Sequence, residues 1–232
     1  MIEILLLDLD DTILDFQKAE HIALGKTLEH FGIQPTEPVR SRYSQINKEH
    51  WEKLERKELT RAQVVSGRFA QLFQELGVVG DAEECAKLYA ANLGIGHYFL
   101  PGAEEALKIL SQKYRLFMAS NGNLSVQRGR LQSANISHYF EDIFISQEMG
   151  ADKPSIEYFD RCFARIKDFD REKTMIVGDS LTSDILGGNN AGIATCWVNP
   201  QHKPRRSDIR VDHEIESITQ LPDLLESLCG HE

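Results

Sequence analysis

Ile4-Leu5-Leu6-Leu7-Asp8-Leu9-Asp10-Asp11-Thr12 passes from an unbroken apolar run into four polar side chains within five positions. A short continuous apolar run that ends in acid reads as a buried parallel strand delivering carboxylates to one edge of a sheet. Carboxylates crowded together repel, so folding them side by side is costly unless a cation or a proton offsets the repulsion. The competing reading is an acidic turn that caps the next helix.

From about Asp15 to Leu93 the apolar period becomes helical. Ile22, Ala23, Leu24, Leu28 and Phe31 mark one helix closed by Gly32, and Val39, Tyr43, Ile46, Trp51 and Leu54 mark a second entered through Thr36 and Pro38. Thr60 with Gln63 reads as a capping box for a third helix that stops at Gly77. Asp81 with Glu84 starts a fourth that ends at Gly94. Consecutive helices after a single strand predict an inserted helical bundle. Beyond this block, strands alternate with helices. The strands are Arg115-Leu116-Phe117-Met118-Ala119, Asp142-Ile143-Phe144-Ile145, Thr174-Met175-Ile176-Val177 and Ala194-Thr195-Cys196-Trp197-Val198. That alternation predicts an α/β fold with a Rossmann-like parallel sheet core, covered by helices on both faces. The expected domains are a core of residues 1–14 and 95–232 and a helical cap of residues 15–94. The polar segment His202 to Asp212 is expected to be a surface loop.

In such sheets ligands sit beyond the carboxyl ends of the strands. Four polar clusters fall there: Asp8/Asp10, Ser120 with Asn121-Gly122, Lys153-Pro154, and Gly178-Asp179 running to Asp184. Singly, each has an ordinary explanation as a turn, a surface lysine or a helix cap. Together, each at the end of its own strand, they resemble the four motifs of the haloacid dehalogenase superfamily, and the match spans nearly the whole chain. An insertion directly after the first motif resembles that superfamily's first type of cap (type C1). A finer resemblance, to the YjjG-type pyrimidine 5′-nucleotidase branch, rests on Asn47-Lys48-Glu49-His50-Trp51, on Ser146-Gln147-Glu148-Met149-Gly150, and on Ser183-Asp184-Ile185-Leu186-Gly187-Gly188 running into Ala194-Thr195-Cys196-Trp197.

The resemblance implies a Mg²⁺-dependent phosphomonoesterase that works through an aspartyl-phosphate. Asp8 would be the nucleophile, splitting one difficult displacement into two easier ones. Asp10 would be the general acid and base, with its backbone carbonyl on the metal, and Thr12 would either orient it by a hydrogen bond or mark the start of the next helix. Asp8 and Asp179 would be the carboxylate ligands of Mg²⁺, an ion that favours few carboxylates, several waters and phosphate oxygens. Asp184 would support them. Ser120, the backbone N–H groups that follow it from Asn121 on, and Lys153 would hold the transferring phosphoryl oxygens, where charge builds in the transition state. Trp51 stands for two expectations: an indole face stacked on a base, or a member of the cap's own apolar stripe. The Gly187-Gly188 pair is expected to permit close helix–sheet packing.

Composition narrows the partners. The chain has 232 residues and a formal net charge of −10, a sign that repels phosphate backbones at long range and disfavours a nucleic-acid polymer. No apolar run approaches the ~20 residues of a membrane span. The opening apolar run is short and ends in aspartates, so it does not read as a signal peptide. Cys85, Cys162, Cys196 and Cys229 form no metal-type cluster, which suits buried free thiols in the cytoplasm. The expected substrate is a small phosphorylated metabolite, foremost a pyrimidine nucleoside 5′-monophosphate, handled by a monomer or homodimer. Two alternatives stay open: a sugar-phosphate or phosphoglycolate-type phosphatase on the same machinery, and a non-enzymatic receiver that accepts one phosphoryl group per chain.

Overall fold

The computed structural model describes residues 1–229, without the side chains of Glu55 and Cys229. It divides into two compact units, Met1–Phe16 with His97–Glu232, and Gln17–Gly96.

Strand β1 (Ile4–Leu7) opens the first unit and is fully buried. The second unit takes up helices α1 (Phe16–His30), α2 (Glu37–Glu55), α3 (Arg61–Leu76) and α4 (Ala82–Gly94). Their starts and stops follow local chemistry. Thr60 and Gln63 exchange side-chain and backbone hydrogen bonds as a capping box at α3, and Gly77 ends that helix at φ 65°, a left-handed conformation that only glycine adopts without strain. The Asp81 carboxylate caps α4 by accepting from the amides of Glu83 and Glu84. Gly94, expected to stop α4, is instead its last helical residue, and Ile95 follows in right-handed geometry. Thr36 precedes α2 without a side-chain cap, leaving Pro38 in the first turn as the start signal.

The interior of this helical unit is not wholly apolar. Glu20 is buried and accepts from Asn47 Nδ2 (2.8 Å), Ser44 Oγ (3.0 Å) and the Tyr89 hydroxyl (3.4 Å). Asn47 in turn accepts from Arg68 Nη1 at 2.6 Å, and that guanidinium lies over the rings of Tyr43, Phe69 and Tyr89. Burial raises the Glu20 pKa, against the opposing pull of its partners. A carboxylate whose folded pKa is raised loses stability as pH climbs from its unfolded value, near 4.5, through the folded one. Glu20→Gln keeps an acceptor for Asn47 and does not titrate. Its melting temperature relative to the parent should therefore rise with pH above about 4.5; a difference that is flat or falls with pH would show that the buried charge costs nothing.

The first unit continues with α5 (Ala103–Lys113), β2 (Arg115–Ser120), α6 (Leu124–Ala134), β3 (Asp142–Ile145), α7 (Ser146–Met149), α8 (Ile156–Phe163), β4 (Thr174–Gly178), α9 (Leu186–Ala191), β5 (Ala194–Val198), β6 (His213–Ile215) and α10 (Leu221–Cys229). The six strands form one parallel sheet in the order β3-β2-β1-β4-β5-β6. The chain builds outward from β1 on one side through β2 and β3, then returns to the other side through β4, β5 and β6. Strand order thus reverses between β1 and β4, the position where open α/β sheets bind ligands.

Alternate residues of β1 feed two cores. Leu5 and Leu7 pack with Leu107, Leu110, Met118, Val177 and Leu225; Ile4 and Leu6 pack with Phe117, Phe144, Phe159 and Ile176 on the other face. Burial on both faces is why the strand sequences read as unbroken apolar runs. Gly187 and Gly188 do fit close packing: a Cβ at Gly187 would lie 2.6 Å from the Phe159 ring, and one at Gly188 would lie 2.6 Å from Ile176 and Thr195.

Three elements differ from the sequence expectation. β6 extends the sheet beyond the loop of residues 202–212, and α7 is a single turn directly after β3. The helix expected from Thr182 starts as a π-helical turn, Leu181–Ile185, before α9. The thiols of Cys85, Cys162 and Cys196 are free and buried as expected, whereas that of Cys229 lies outside the described residues. Among the described residues no helix is long and apolar enough to cross a membrane.

Candidate active site

The carboxyl edge of the sheet collects most of the polar residues named above. Register places Leu7 opposite both Met118 of β2 and Val177 of β4, so the residues that follow these three strands emerge side by side. The Asp8 amide still donates to the Val177 carbonyl at 2.9 Å, which fixes Asp8 as the last laddered residue of the central strand.

Lys153 occupies the middle of the cluster and is 1% exposed. Its Nζ donates to Asp8 Oδ1 (2.7 Å), Asp184 Oδ1 (2.6 Å) and the Ala119 carbonyl (2.6 Å), which uses all three ammonium hydrogens. Burial alone would lower the Lys153 pKa, but Asp184 and Asp8 more than reverse that, so the ammonium stays charged. Its backbone is held by Asn121, whose side chain donates to the Lys153 carbonyl (2.8 Å) and accepts from the Lys153 amide (2.9 Å). The Lys153-Pro154 peptide is cis. The Asn121 side chain is thus committed to bracing Lys153, which leaves its backbone N–H as the group expected at phosphate.

Asp184 is 1% exposed, and its second oxygen accepts from the Ser180 amide at 3.1 Å. A Cβ at position 178 would lie 2.2 Å from that oxygen, so only glycine leaves room for it. Asp179 is part-exposed beside the pair, and its backbone carbonyl accepts from the Trp197 indole N–H at 2.8 Å. One carboxylate oxygen from each of Asp8, Asp179 and Asp184 lies within 4.8 Å of the other two. Burial, opposed by Lys153 and reinforced by Asp184, raises the Asp8 pKa to about 7. Burial and the neighbouring Asp8 and Asp184 push Asp179 well above the usual carboxylate range. Those shifts are what carboxylates held together without enough positive charge experience.

Asp10 faces a different set of partners. Its Oδ1 accepts from Arg130 Nη1, and its Oδ2 accepts from Gln127 Nε2 at 2.7 Å. The same Gln127 Nε2 donates to Ser120 Oγ at 2.8 Å, and Ser120 Oγ also accepts from the Gly122 amide at 3.0 Å. Thr12 does not take the orienting role: it is fully buried, and its Oγ1 has no hydrogen-bond partner among the described residues. The neighbouring Asp11 does cap, accepting from the Phe16 amide at 2.8 Å at the start of α1. Both readings of the acidic turn therefore hold, on different residues. Sequence reading missed Arg130 and Gln127, which lie inside a helix away from any strand end; their only signal was two polar residues at i and i+3 among apolar Val126 and Leu131.

Trp51, in the helical unit, is half-buried on α2 with the Arg61 guanidinium 5.4 Å above its ring. Two of its neighbours in the quoted stretch are consumed by that unit's interior: Asn47 by Glu20 and Arg68, and His50, buried, by the Ile46 carbonyl at 2.9 Å.

The arrangement has a definite electrostatic character. Asp8, Asp10, Asp179 and Asp184 face two cations, Lys153 and Arg130, a formal excess of two negative charges. A divalent cation would offset that excess, whereas an anion entering by itself would add to it. Small oxygen-ligated cations suit the donor set, since the ligands are carboxylates with neither thiolate nor imidazole.

Comparison with known proteins agrees with this edge. Over 221 residues the chain is 40% identical to YfnB of Bacillus subtilis, named as a HAD-hydrolase, covering 95% of this chain and 94% of YfnB. It is 36% identical over 223 residues to the pyrimidine 5′-nucleotidase PynA of Streptococcus pneumoniae (96% and 94% covered) and 30% identical over 227 residues to the pyrimidine 5′-nucleotidase YjjG of Escherichia coli (97% and 96% covered). The crystal structure of YfnB bound to magnesium superposes with a TM-score of 0.93 at 39% identity, covering 97% of this chain and 98% of that one. The model of haloacid dehalogenase-like hydrolases matches residues 2–192, a span that carries β1 with its aspartates, the Ser120 and Lys153 edges and the Asp179–Asp184 turn. With sequence, fold and strand-end chemistry in agreement, this chain belongs to the haloacid dehalogenase-like hydrolases.

Proposed function

We propose that the protein is a Mg²⁺-dependent phosphatase of small phosphomonoesters, foremost pyrimidine nucleoside 5′-monophosphates. The observation that carries this reading is Asp8, buried at the end of the central strand, ion-paired to Lys153 and two residues before Asp10. The pyrimidine assignment leans on the two nucleotidase relatives, which match nearly the whole chain.

Asp8 supplies the carboxylate oxygen that attacks phosphorus, and the bond from phosphorus to the ester oxygen breaks. Asp10 gives its proton to that leaving oxygen. Asp10, now a carboxylate, takes a proton from water as that water attacks the aspartyl-phosphate. The bond from phosphorus to Asp8 breaks and inorganic phosphate leaves. Ser120 donates its hydroxyl hydrogen to a phosphoryl oxygen. The backbone amide of Asn121 takes any direct role of that residue at phosphate, since its side chain holds Lys153. Asp8, Asp179 and the Asp10 carbonyl would hold Mg²⁺, with Asp184 behind them; the ion, when bound, offsets the charge of carboxylates and phosphate together.

Phosphate release across a panel of nucleoside monophosphates and sugar phosphates tests the reading. Continuous release with Mg²⁺, highest on pyrimidine nucleotides and stopped by chelator, is expected. Preference for a sugar phosphate would move the substrate class, and a single phosphoryl group taken up per chain would indicate a receiver. The same panel with Trp51→Ala should show KM rising several-fold for nucleotides and little for an aryl phosphate; equal effects on both would return Trp51 to packing.

A further inference from the structure

Asp10 lies outside the hydrogen bonds that Lys153 makes to Asp8 and Asp184, and its side chain is 29% exposed. Left alone, its two side-chain torsions would wander. Helix α6 prevents that. Gln127 and Arg130, three residues apart, project from one face of the helix and are 1% and 0% exposed. Arg130 takes one Asp10 oxygen and Gln127 takes the other. Burial lowers the Arg130 pKa to about 10, a cost the protein accepts while leaving the guanidinium charged. The room for Gln127 comes from Gly122, where a Cβ would lie 2.4 Å from Gln127 Nε2.

Gln127 presents its NH₂ group to Asp10 Oδ2, the orientation that satisfies that oxygen whenever Asp10 is a carboxylate, which accepts and never donates. Its second hydrogen then reaches Ser120 Oγ. With Gln127 and the Gly122 amide both donating to it, the Ser120 oxygen has used its two acceptor positions. Its single hydrogen is left to act as a donor.

We propose that Arg130 and Gln127 are positioning residues of the active site: Arg130 fixes the orientation of the Asp10 carboxylate, and Gln127 ties Asp10 to Ser120 while committing the Ser120 hydroxyl to donate toward the phosphoryl group. The proposal rests on the phosphatase reading above and adds to it residues that lie outside the four strand-end motifs.

The test separates orientation of Asp10 from general damage through the leaving group. A nucleoside alkoxide needs a proton as it leaves, whereas p-nitrophenolate leaves without one; hydrolysis of the aspartyl-phosphate needs Asp10 as base for both. In Arg130→Met, kcat for a nucleoside monophosphate should fall about a hundredfold with KM nearly unchanged. With p-nitrophenyl phosphate the same variant should release a burst of about one p-nitrophenolate per site, followed by slow turnover. Gln127→Leu should lower kcat about tenfold and raise KM, as Ser120 loses its fixed donor direction. If Arg130→Met does not fold, Arg130→Lys carries the same measurement, since a lysine keeps the charge but not the forked geometry. Equal losses on both substrates without a burst, or undiminished turnover, would overturn the positioning role while an active parent preserves the phosphatase reading. A parent inert toward every monoester with Mg²⁺ would overturn that reading and this inference with it.

Discussion

Asp8→Asn is expected to lower phosphate release by about three or more orders of magnitude while leaving the melting temperature in chelator unchanged or higher. The two effects have one origin. Asn keeps the shape and an acceptor for Lys153 but offers no carboxylate to attack phosphorus. It also removes one charge from a buried group that holds too many: burial raises Asp8 to about 7 even with Lys153 pulling the other way, and Asp184 adds to the rise. Relieving like-charge repulsion at a catalytic centre commonly trades activity for stability. Phosphate release and thermal melting, each with and without Mg²⁺, check both halves. Residual hydrolysis within tenfold of the parent would remove Asp8 as nucleophile.

Lys153→Met is expected to abolish turnover and to destabilise the metal-free protein by about 3–5 kcal/mol, the usual cost of leaving buried charges without their partner. Among the described residues the ammonium is the one cation that hydrogen-bonds both Asp8 and Asp184, and it also satisfies the Ala119 carbonyl. Methionine fills similar volume but leaves those acceptors unpaired, with Asp179 close by. For a protein of this size the loss corresponds to a melting temperature lower by roughly 10 °C. Added Mg²⁺ should recover part of that drop, because it neutralises the same carboxylates. A melting temperature indifferent to the substitution would mean that Lys153 is not the structural counter-ion of the cluster.

Asp8 and Lys153 differ in how far local sequence pattern reveals them. The importance of Asp8 is readable from one strand and its acidic end, since a run buried on both faces has a local signature and parallel sheets place such ends together. The same holds for Ser120 and Asp179, each at a strand end. That Lys153 spends every ammonium hydrogen inside the cluster was not readable, because its partners come from positions as far as 145 residues away in the chain. Asn121 illustrates the limit from the other direction: its place beside Ser120 points its backbone N–H to phosphate, but that its side chain braces both backbone groups of Lys153 depends on the return of the chain there. Thr12 lies two residues from Asp10 in the chain, yet α6 supplies the partners of that carboxylate instead.

Local pattern by itself determined the strand-helix alternation, the block of helices after β1 and the carboxyl edge where the chemistry gathers, because each depends on periodicity and capping over a few residues. The tertiary structure alone decided which side chain answers which charge: Lys153 for Asp8 and Asp184, Trp197 for the Asp179 carbonyl, Arg130 and Gln127 for Asp10. Those pairings join residues far apart in the chain, and only the sheet's crossing order brings them within hydrogen-bond distance.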